Sequence, residues 1–126
     1  MKLILTRHGV TEENINGILQ SHMDGTLSKL GLEQAKKVSL RLKNEKIDYI
    51  YSSDLGRASK TAQKIAKYHK KTPIKFVKEL REIDHGDYAG MKLSGYNEYK
   101  NKPKNKGFNE GENVIDLFNR AKIFFI

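Results

Sequence analysis

An arginine and a histidine stand side by side near the start of the chain, Arg7-His8, and are followed by Gly9 and, five residues later, by Asn14. A neutral imidazole that a hydrogen bond fixes in one tautomer can attack phosphorus through its other nitrogen. The neighbouring guanidinium can bind the phosphoryl oxygens with two parallel hydrogen bonds. Gly9 would let the backbone pass close to a bound anion, and Asn14 offers a neutral donor. These residue types favour chemistry on a phosphoryl group.

An apolar run at residues 3–5 leads directly into this group. The run predicts a buried strand that ends in a reactive turn, at the sheet edge where open α/β folds bind their ligands. The alternative is that Arg7 is a surface cation and His8 an unreactive histidine at the end of a strand. The tripeptide alone favours that alternative, because such triplets recur by accident.

The stretch from Arg7 to Asn14 resembles the signature of the histidine phosphatase superfamily, the phosphoglycerate-mutase-like enzymes. Further stretches resemble motifs of that family in the expected order, at residues 20–35, 52–62, 80–90 and 111–113. The resemblance covers nearly the whole chain. It implies an α/β fold, a three-layer sandwich with a mostly parallel sheet and helices on both faces.

The same resemblance implies roles for individual residues. His8 matches the family's nucleophile, which forms a covalent phosphohistidine, and Glu82 matches its proton donor, which protonates the leaving group and then activates water. The matching phosphate and substrate ligands are Arg7, Asn14, Gln20 and Arg57. The resemblance implies that hydrolysis by this mechanism needs no metal and no cofactor. By itself the sequence leaves alternatives open: Glu82 could form a salt bridge with Arg81 or a lysine, and Arg57 could lie on the surface.

Local patterns predict the elements that would position these side chains. Ser28 is a plausible N-cap for an amphipathic helix, and residues 47–53 and 74–77 are typical of strands. Between the two strands a helix begins at residues 55–57, which places Arg57 beside free backbone N–H groups that favour phosphate binding. Asn113 is a plausible N-cap for a last helix. The apolar stripe of the first helix is Leu32, Ala35, Val38 and Leu42, that of the second is Ala58, Ala62, Ile65 and Ala66, and that of the last is Val114, Leu117, Phe118, Ala121, Phe124 and Phe125.

Three other stretches carry weaker predictions. His22 lies in an irregular loop and is a candidate substrate contact, although the alternative of an exposed loop histidine is favoured. Asp84 and His85 are weak candidates beside Glu82. Residues 86–111 are glycine-rich with an alternating lysine run, which predicts a loop or lid whose cations could meet a substrate's distal charges. The slightly favoured alternative is a solvated loop without a function.

Size and composition limit the function classes. At 126 residues the chain is at most one domain, it has no cysteine, and its net charge is +9. The basic residues are spread over predicted helix faces instead of clustering with aromatics, so we expect no nucleic-acid partner. No apolar run approaches a membrane-spanning length, so we expect no membrane partner. With no signal peptide in the sequence we expect a cytoplasmic protein. A positive field would attract a small phosphorylated metabolite.

The histidine phosphatase resemblance also predicts that the domain at residues 1–126 is incomplete at its C-terminal end. Members of the family continue into a further strand that ends in a second His-Gly pair. None of the other histidines here, His22, His69 and His85, stands in that context. The last four residues are apolar and uncapped. We therefore expect unpaired strand edges and the loss of one donor to the transferring phosphoryl group, an effect of about 3 kcal/mol in comparable sites.

The predicted function is phosphomonoester hydrolysis through a phosphohistidine on His8. Residues 17–24 resemble the phosphatase branch and lack the tryptophan usual in cofactor-dependent phosphoglycerate mutases, which remain the alternative enzyme. An alternative of another class is a truncated, catalytically impaired phosphate-binding domain. The sequence leaves the substrate and the oligomeric state open.

Overall fold

The computed structural model describes residues 1–94, 107–108 and 110–125. Within these ranges the chain forms four α-helices, two strands and two short 3₁₀ turns. The helices are α1 (Glu12–Ile15), α2 (Lys29–Leu42), α3 (Gly56–Ala66) and α4 (Val114–Phe125); the strands are β1 (Ile50–Ser53) and β2 (Ile74–Val77); the 3₁₀ turns are Lys78–Leu80 and Gly86–Tyr88.

The two strands pair in parallel, from Ile50 opposite Ile74 to Ser53 opposite Val77. β2 has the bounds that the sequence predicts. β1 begins at Ile50, three residues later than predicted, because its ladder starts only where the Ile50 N–H donates to the carbonyl of Pro73. Backbone pairing, and not propensity alone, sets the start of a strand.

The core lies on one face of this sheet. Leu42 of α2, Ile50 of β1 and Ala62 and Ile65 of α3 form its buried cluster. Because successive strand residues point to opposite faces, Tyr51 points away from this cluster, and its ring lies 5.1 Å from that of Phe124 in α4. Helices therefore pack on both faces of a parallel sheet, which confirms the predicted α/β class.

The predicted helix starts are confirmed by their caps. The Ser28 hydroxyl accepts the N–H of Gly31 at 3.0 Å, and the Asn113 side chain accepts the N–H of Asp116 at 2.8 Å. Each bond satisfies a backbone donor that a helix leaves unpaired at its first turn.

The predicted apolar stripes are only partly correct. Leu32 is 44% exposed, because the buried face of α2 runs through Gly31, Ala35, Ser39 and Leu42 and Leu32 lies off that line. In α4, Leu117 and Phe124 are half-buried. The stripe members that remain exposed there are Val114, Phe118 and Phe125.

The prediction of a buried strand at residues 3–5 is wrong for this structure. Leu3 is 62% and Leu5 is 80% exposed, and no strand among the described residues pairs with this segment. A strand is stabilised by a hydrogen-bonded neighbour, so the apolar run alone does not form one. Most of the predicted loop at 86–111, including its lysine run at 100–106, lies outside the described residues. Among the described helices, none has the length and apolar character required to cross a bilayer.

Gly9 and Gly31 face each other where the segment after His8 crosses the start of α2. A Cβ added at Gly31 would overlap the carbonyl oxygen of Val10, and one added at Gly9 would overlap the carbonyl oxygen of Gly31. The sequence pattern predicts that Gly9 lets the backbone pass close to a bound anion. In the structure its missing side chain serves the contact between two backbones.

We expect Gly31→Ala to lower the free energy of unfolding by roughly 1–3 kcal/mol or more, because the methyl group must push one backbone away from the other. Denaturant titration followed by circular dichroism measures this change. The matched control is Glu33→Ala on the exposed side of the same helix, which we expect to change stability by less than about 0.5 kcal/mol. Equal free energies of unfolding for the two variants would contradict the close approach of Gly31 to the backbone of residues 9–10.

Candidate functional site

His8 is held in one tautomer by its own neighbour. Its Nδ1 lies 2.8 Å from the carbonyl oxygen of Gly9, and because a carbonyl only accepts, the proton lies on Nδ1 and Nε2 keeps its lone pair. Burial lowers the pKa of His8, and the charges of Arg57 and Arg7 lower it further, against raising effects of the Gly9 bond and the Glu82 charge. The imidazole is thus neutral at neutral pH, with Nε2 as a nucleophile.

Two side chains from the helices hold the backbone after His8. The N–H of Gly9 donates to the Thr61 hydroxyl of α3 at 3.3 Å, and the N–H of Val10 donates to Oε1 of Gln34 in α2 at 2.9 Å. Residues 9–10 form no strand, so these bonds replace a sheet ladder as the support of the turn. Both helices therefore fix the orientation of His8.

Arg57 lies in the first turn of α3, as the sequence predicts, and only 3% of it is exposed. Its Nη2 donates to the carbonyl of Ser21 at 3.0 Å, and its Nη1 donates to the carbonyl of Met23. Burial lowers the pKa of Arg57, while the carboxylates of Glu82, Glu13 and Asp24 raise it. The guanidinium is therefore a desolvated charge close enough to His8 to act on its titration.

The predicted free N–H groups at the start of α3 are not free. Asp24 accepts hydrogen bonds from the first two backbone N–H groups of the helix. Its Oδ1 accepts the N–H of Gly56 at 3.0 Å, and its carbonyl accepts the N–H of Arg57 at 2.9 Å. This carboxylate caps the helix from a distant loop. Any phosphate contact here therefore depends on the Arg57 side chain more than on the helix terminus.

A cleft of about 510 Å³ opens beside His8. Arg7 is exposed at this cleft. The Asn14 side-chain oxygen accepts the N–H of Thr11 at 3.0 Å in a capping box at α1, which leaves the side-chain amide N–H groups as its donors. The cleft is lined by Arg7, His8, Gly9, Val10, Asn14, Gln34, Ala35, Val38 and Thr61.

Glu82 is exposed at the end of the segment after β2, and its Oε1 accepts the N–H of Ile83 at 2.9 Å. The suggested salt bridge from Glu82 to Arg81 is wrong. Arg81 instead binds Asp54 through two hydrogen bonds of 2.7 and 2.6 Å, and these bonds lower the pKa of Asp54. Within the described residues Glu82 joins no ion pair, and its charge acts on both His8 and Arg57.

The remaining predicted residues, like Arg57 and Glu82, do not line the cleft beside His8. Gln20 is buried beside Arg57 and against Gly25, and it does not line the cleft. His22 is not a free loop residue, because its Nε2 lies 2.8 Å from the carbonyl oxygen of Glu82. Asp84 accepts the N–H of Gly86 at 2.9 Å, and His85 is buried. In the part of the chain that the structure describes, no cluster of three histidine or carboxylate side chains could hold a metal ion.

Sequence reasoning assigned no role to Thr61 and Gln34, although both line the cleft and support residues 9–10. Both occur in the stretches that carried the family resemblance, so the signal was present without a function attached. Ser21 was also missed. It has a positive φ of 51° and accepts the N–H of His85 at 2.8 Å, and nothing in its sequence neighbourhood marks it.

We expect the His8 imidazole to titrate below its ordinary pKa of 6.5 in the protein without ligand. Protonation would place a cation in a partly desolvated position near Arg57 and Arg7, so it requires a lower pH. Imidazole chemical shifts in NMR measure the midpoint, and Arg7→Gln should raise it by removing a like charge. A midpoint above 6.5 would contradict this environment.

The chain matches the family model of the histidine phosphatase superfamily (branch 1) over residues 3–125. It is 36% identical to phosphoserine phosphatase 1 of Hydrogenobacter thermophilus, over 98% of this chain and 62% of that protein. It is 31% identical to the probable phosphoglycerate mutase GpmB of Proteus mirabilis, over 97% of this chain and 60% of that protein.

A structural comparison agrees with these sequence matches. The chain superposes on the mycobacterial glucosyl-3-phosphoglycerate phosphatase in complex with VO3 with a TM-score of 0.84 and 27% identity, covering 94% of this chain and 59% of that one. The chain spans about three fifths of the length of each of these two sequence relatives. The fold and the family match over residues 3–125 lead to one assignment: this chain belongs to the histidine phosphatase superfamily, branch 1.

Proposed function

We propose that the whole protein hydrolyses phosphomonoesters through a covalent phosphohistidine on His8. The observation that carries the proposal is the 2.8 Å bond from Nδ1 to the Gly9 carbonyl, which leaves Nε2 unprotonated beside two arginines. Nε2 attacks phosphorus, and the bond between phosphorus and the ester oxygen breaks. The guanidinium groups of Arg7 and Arg57 and the amide of Asn14 neutralise or bind the phosphoryl oxygens.

The second part of the proposal concerns proton transfer by Glu82. As the ester bond breaks, the Glu82 carboxyl group gives its proton to the leaving oxygen. The resulting carboxylate then takes a proton from the water that attacks phosphohistidine, which releases inorganic phosphate and restores His8. The exposure of Glu82 and its lack of an ion pair among the described residues support this role. Gln20 remains a proposed substrate ligand, and its contact would require the side chain to turn away from Gly25.

The proposed substrate is a small phosphorylated metabolite in the cytoplasm, with neither nucleic acid nor membrane as a partner. Two of the three proteins named above are a phosphoserine phosphatase and a glucosyl-3-phosphoglycerate phosphatase, which supports this size and chemistry. The net charge of +9 favours the approach of phosphate dianions. Release of phosphate from a panel of sugar phosphates, phosphoserine and phosphoglycerates tests the class.

Phosphoglycerate mutase activity is the second candidate, because one relative is named a probable phosphoglycerate mutase. A mutase returns the phosphoryl group to a second hydroxyl of the same substrate instead of passing it to water. Incubation with 3-phosphoglycerate separates the two: phosphorus NMR would show free phosphate from a phosphatase and 2-phosphoglycerate from a mutase.

We propose that residues 1–126 are part of one domain that further residues of the whole protein complete. This proposal is supported by the match to a relative of which the chain covers about three fifths of the length. It is also supported by exposed apolar side chains that further residues could bury, namely Leu3, Leu5, Tyr49 and Phe125. Comparing phosphate release by the 126-residue chain and by the whole protein tests it. Activity only in the whole protein supports completion, and equal activity would contradict it.

A further inference from the structure

Arg120, in the second turn of α4, binds the backbone of the segment that carries Glu82. Its Nη1 donates to the carbonyls of Glu79 at 2.9 Å and Arg81 at 3.0 Å, and its Nη2 donates to the carbonyl of Glu82 at 3.1 Å. Nη1 also donates to the Lys78 carbonyl at 3.4 Å, so four carbonyls of one short segment converge on a single guanidinium. These bonds fix the path of the backbone and leave the Glu82 carboxyl group unengaged by Arg120.

Glu112 orients Arg120 from the other side. The guanidinium donates through Nε and Nη2 to both oxygens of this carboxylate, at 2.6 and 2.8 Å. The same carboxylate accepts the N–H of Asp84 at 2.8 Å, and the Glu112 N–H donates to the Asp84 carbonyl at 2.8 Å. The two side chains are only 19% and 20% exposed. All five N–H groups of Arg120 therefore have acceptors, which are the Glu112 carboxylate and backbone carbonyls up to and including that of Glu82.

The Glu82 carbonyl has a second donor. Nε2 of His22 lies 2.8 Å from this carbonyl oxygen. His22 belongs to the loop whose backbone carbonyls accept hydrogen bonds from the guanidinium of Arg57. The main chain of Glu82 is thus held both from α4 and from the loop that holds the proposed phosphate ligand. This arrangement fixes the distance between the proposed acid and the proposed anion site.

We propose that Arg120 is a positioning residue for Glu82: it holds residues 79–82 so that the Glu82 carboxyl group meets the oxygen of the leaving group. The inference rests on the proposed acid role of Glu82. Lysine cannot replace Arg120, because an ammonium group has three donors and no planar fork, whereas five donors are used here.

The test compares two substrates of the whole protein that differ in their need for an acid. Glycerol phosphate expels a basic alkoxide that requires a proton, whereas 2,4-dinitrophenyl phosphate expels a stable anion that does not. Since kcat/KM reports the first, phosphoryl-transfer step, we expect Arg120→Lys to lower it about tenfold or more for glycerol phosphate and by less than about threefold for the dinitrophenyl ester. The inhibition constant of inorganic phosphate should not change.

A double-mutant comparison separates positioning from general damage. In a Glu82→Gln background, Arg120→Lys should not lower kcat/KM for glycerol phosphate any further, because the carboxyl group that Arg120 positions is already absent. Arg41→Lys is the matched control, since Arg41 is also a helix arginine paired with a glutamate but is 76% exposed. Should Arg120→Lys fail to fold by circular dichroism, Glu112→Gln carries the same comparison.

Equal losses on the two substrates, or additive losses in the double variant, would overturn the inference about Arg120 alone. A Glu82→Gln variant that hydrolyses glycerol phosphate at the normal rate would instead overturn the acid role of Glu82 and the inference with it. The two failures are therefore distinguishable.

Discussion

Replacing His8 with alanine is expected to abolish phosphate release by the whole protein, with a loss in kcat of roughly 10⁴- to 10⁶-fold, the range found when a catalytic nucleophile is removed. The alanine variant has no atom that can form the phosphoryl intermediate, although Arg7 and Arg57 remain to bind the anion. A continuous phosphate assay measures the rate, and inorganic phosphate should still inhibit any residual activity.

His69→Ala is the control for that experiment. Its ring contacts the carbonyl of Leu42 at 3.1 Å and takes no part in the cleft beside His8, so its removal should leave kcat unchanged. A His8→Ala variant with the wild-type rate would show that the reaction does not pass through this imidazole.

Replacing Arg57 with alanine is expected to reduce kcat/KM by about 10²- to 10³-fold, the size seen when one donor to a developing anion is removed. The charge of the buried guanidinium lowers the pKa of His8, so it acts at the proposed anion site, and the loss should be accompanied by weaker inhibition by inorganic phosphate. Arg57→Lys keeps the charge and loses the fork, and we expect an intermediate loss.

The same substitution should also destabilise the fold. The carbonyls of Ser21 and Met23 would lose their donor, and each unsatisfied buried group costs about 1–3 kcal/mol. Arg41→Ala on the exposed surface serves as the control. An Arg57→Ala variant that unfolds more easily yet binds phosphate with unchanged affinity would assign Arg57 a purely structural role and contradict the account.

The features that the sequence predicted well depend on neighbours along the chain. The caps at Ser28 and Asn113 involve residues only three positions away, and β2 is bounded by Pro73. Arg57 was correctly placed in the first turn of a helix because a strand and a glycine precede it. Such local rules need no knowledge of the tertiary structure.

Failures of prediction occurred where a distant residue decides the outcome. Residues 3–5 have the composition of a strand, but a strand requires a partner. Asp24 caps α3 across 32 positions, and Arg120 reaches the Glu82 segment across 38. The buried line of α2 follows Gly31 because that residue meets the backbone of residues 9–10. Periodicity within one helix cannot reveal such contacts.

In the candidate site, too, local features were predicted from the sequence and contacts between distant residues were not. Residue type alone pointed to Arg7, His8 and Asn14, and the family resemblance added Gln20, Arg57 and Glu82. The bond that leaves Nε2 of His8 without a proton was anticipated as a requirement, but its acceptor, the Gly9 carbonyl, is visible only in the structure. The Arg81 pairing with Asp54 was likewise not predictable from spacing.

The most direct test of the central claim is to trap the intermediate. The whole protein is mixed with an aryl phosphate, quenched in alkali and examined by mass spectrometry of its peptides, because a phosphohistidine survives base and is lost in acid. The account predicts one additional phosphoryl group on the peptide that contains His8 and none in His8→Ala. Phosphate release without that modified peptide, or the same modification in His8→Ala, would contradict the account.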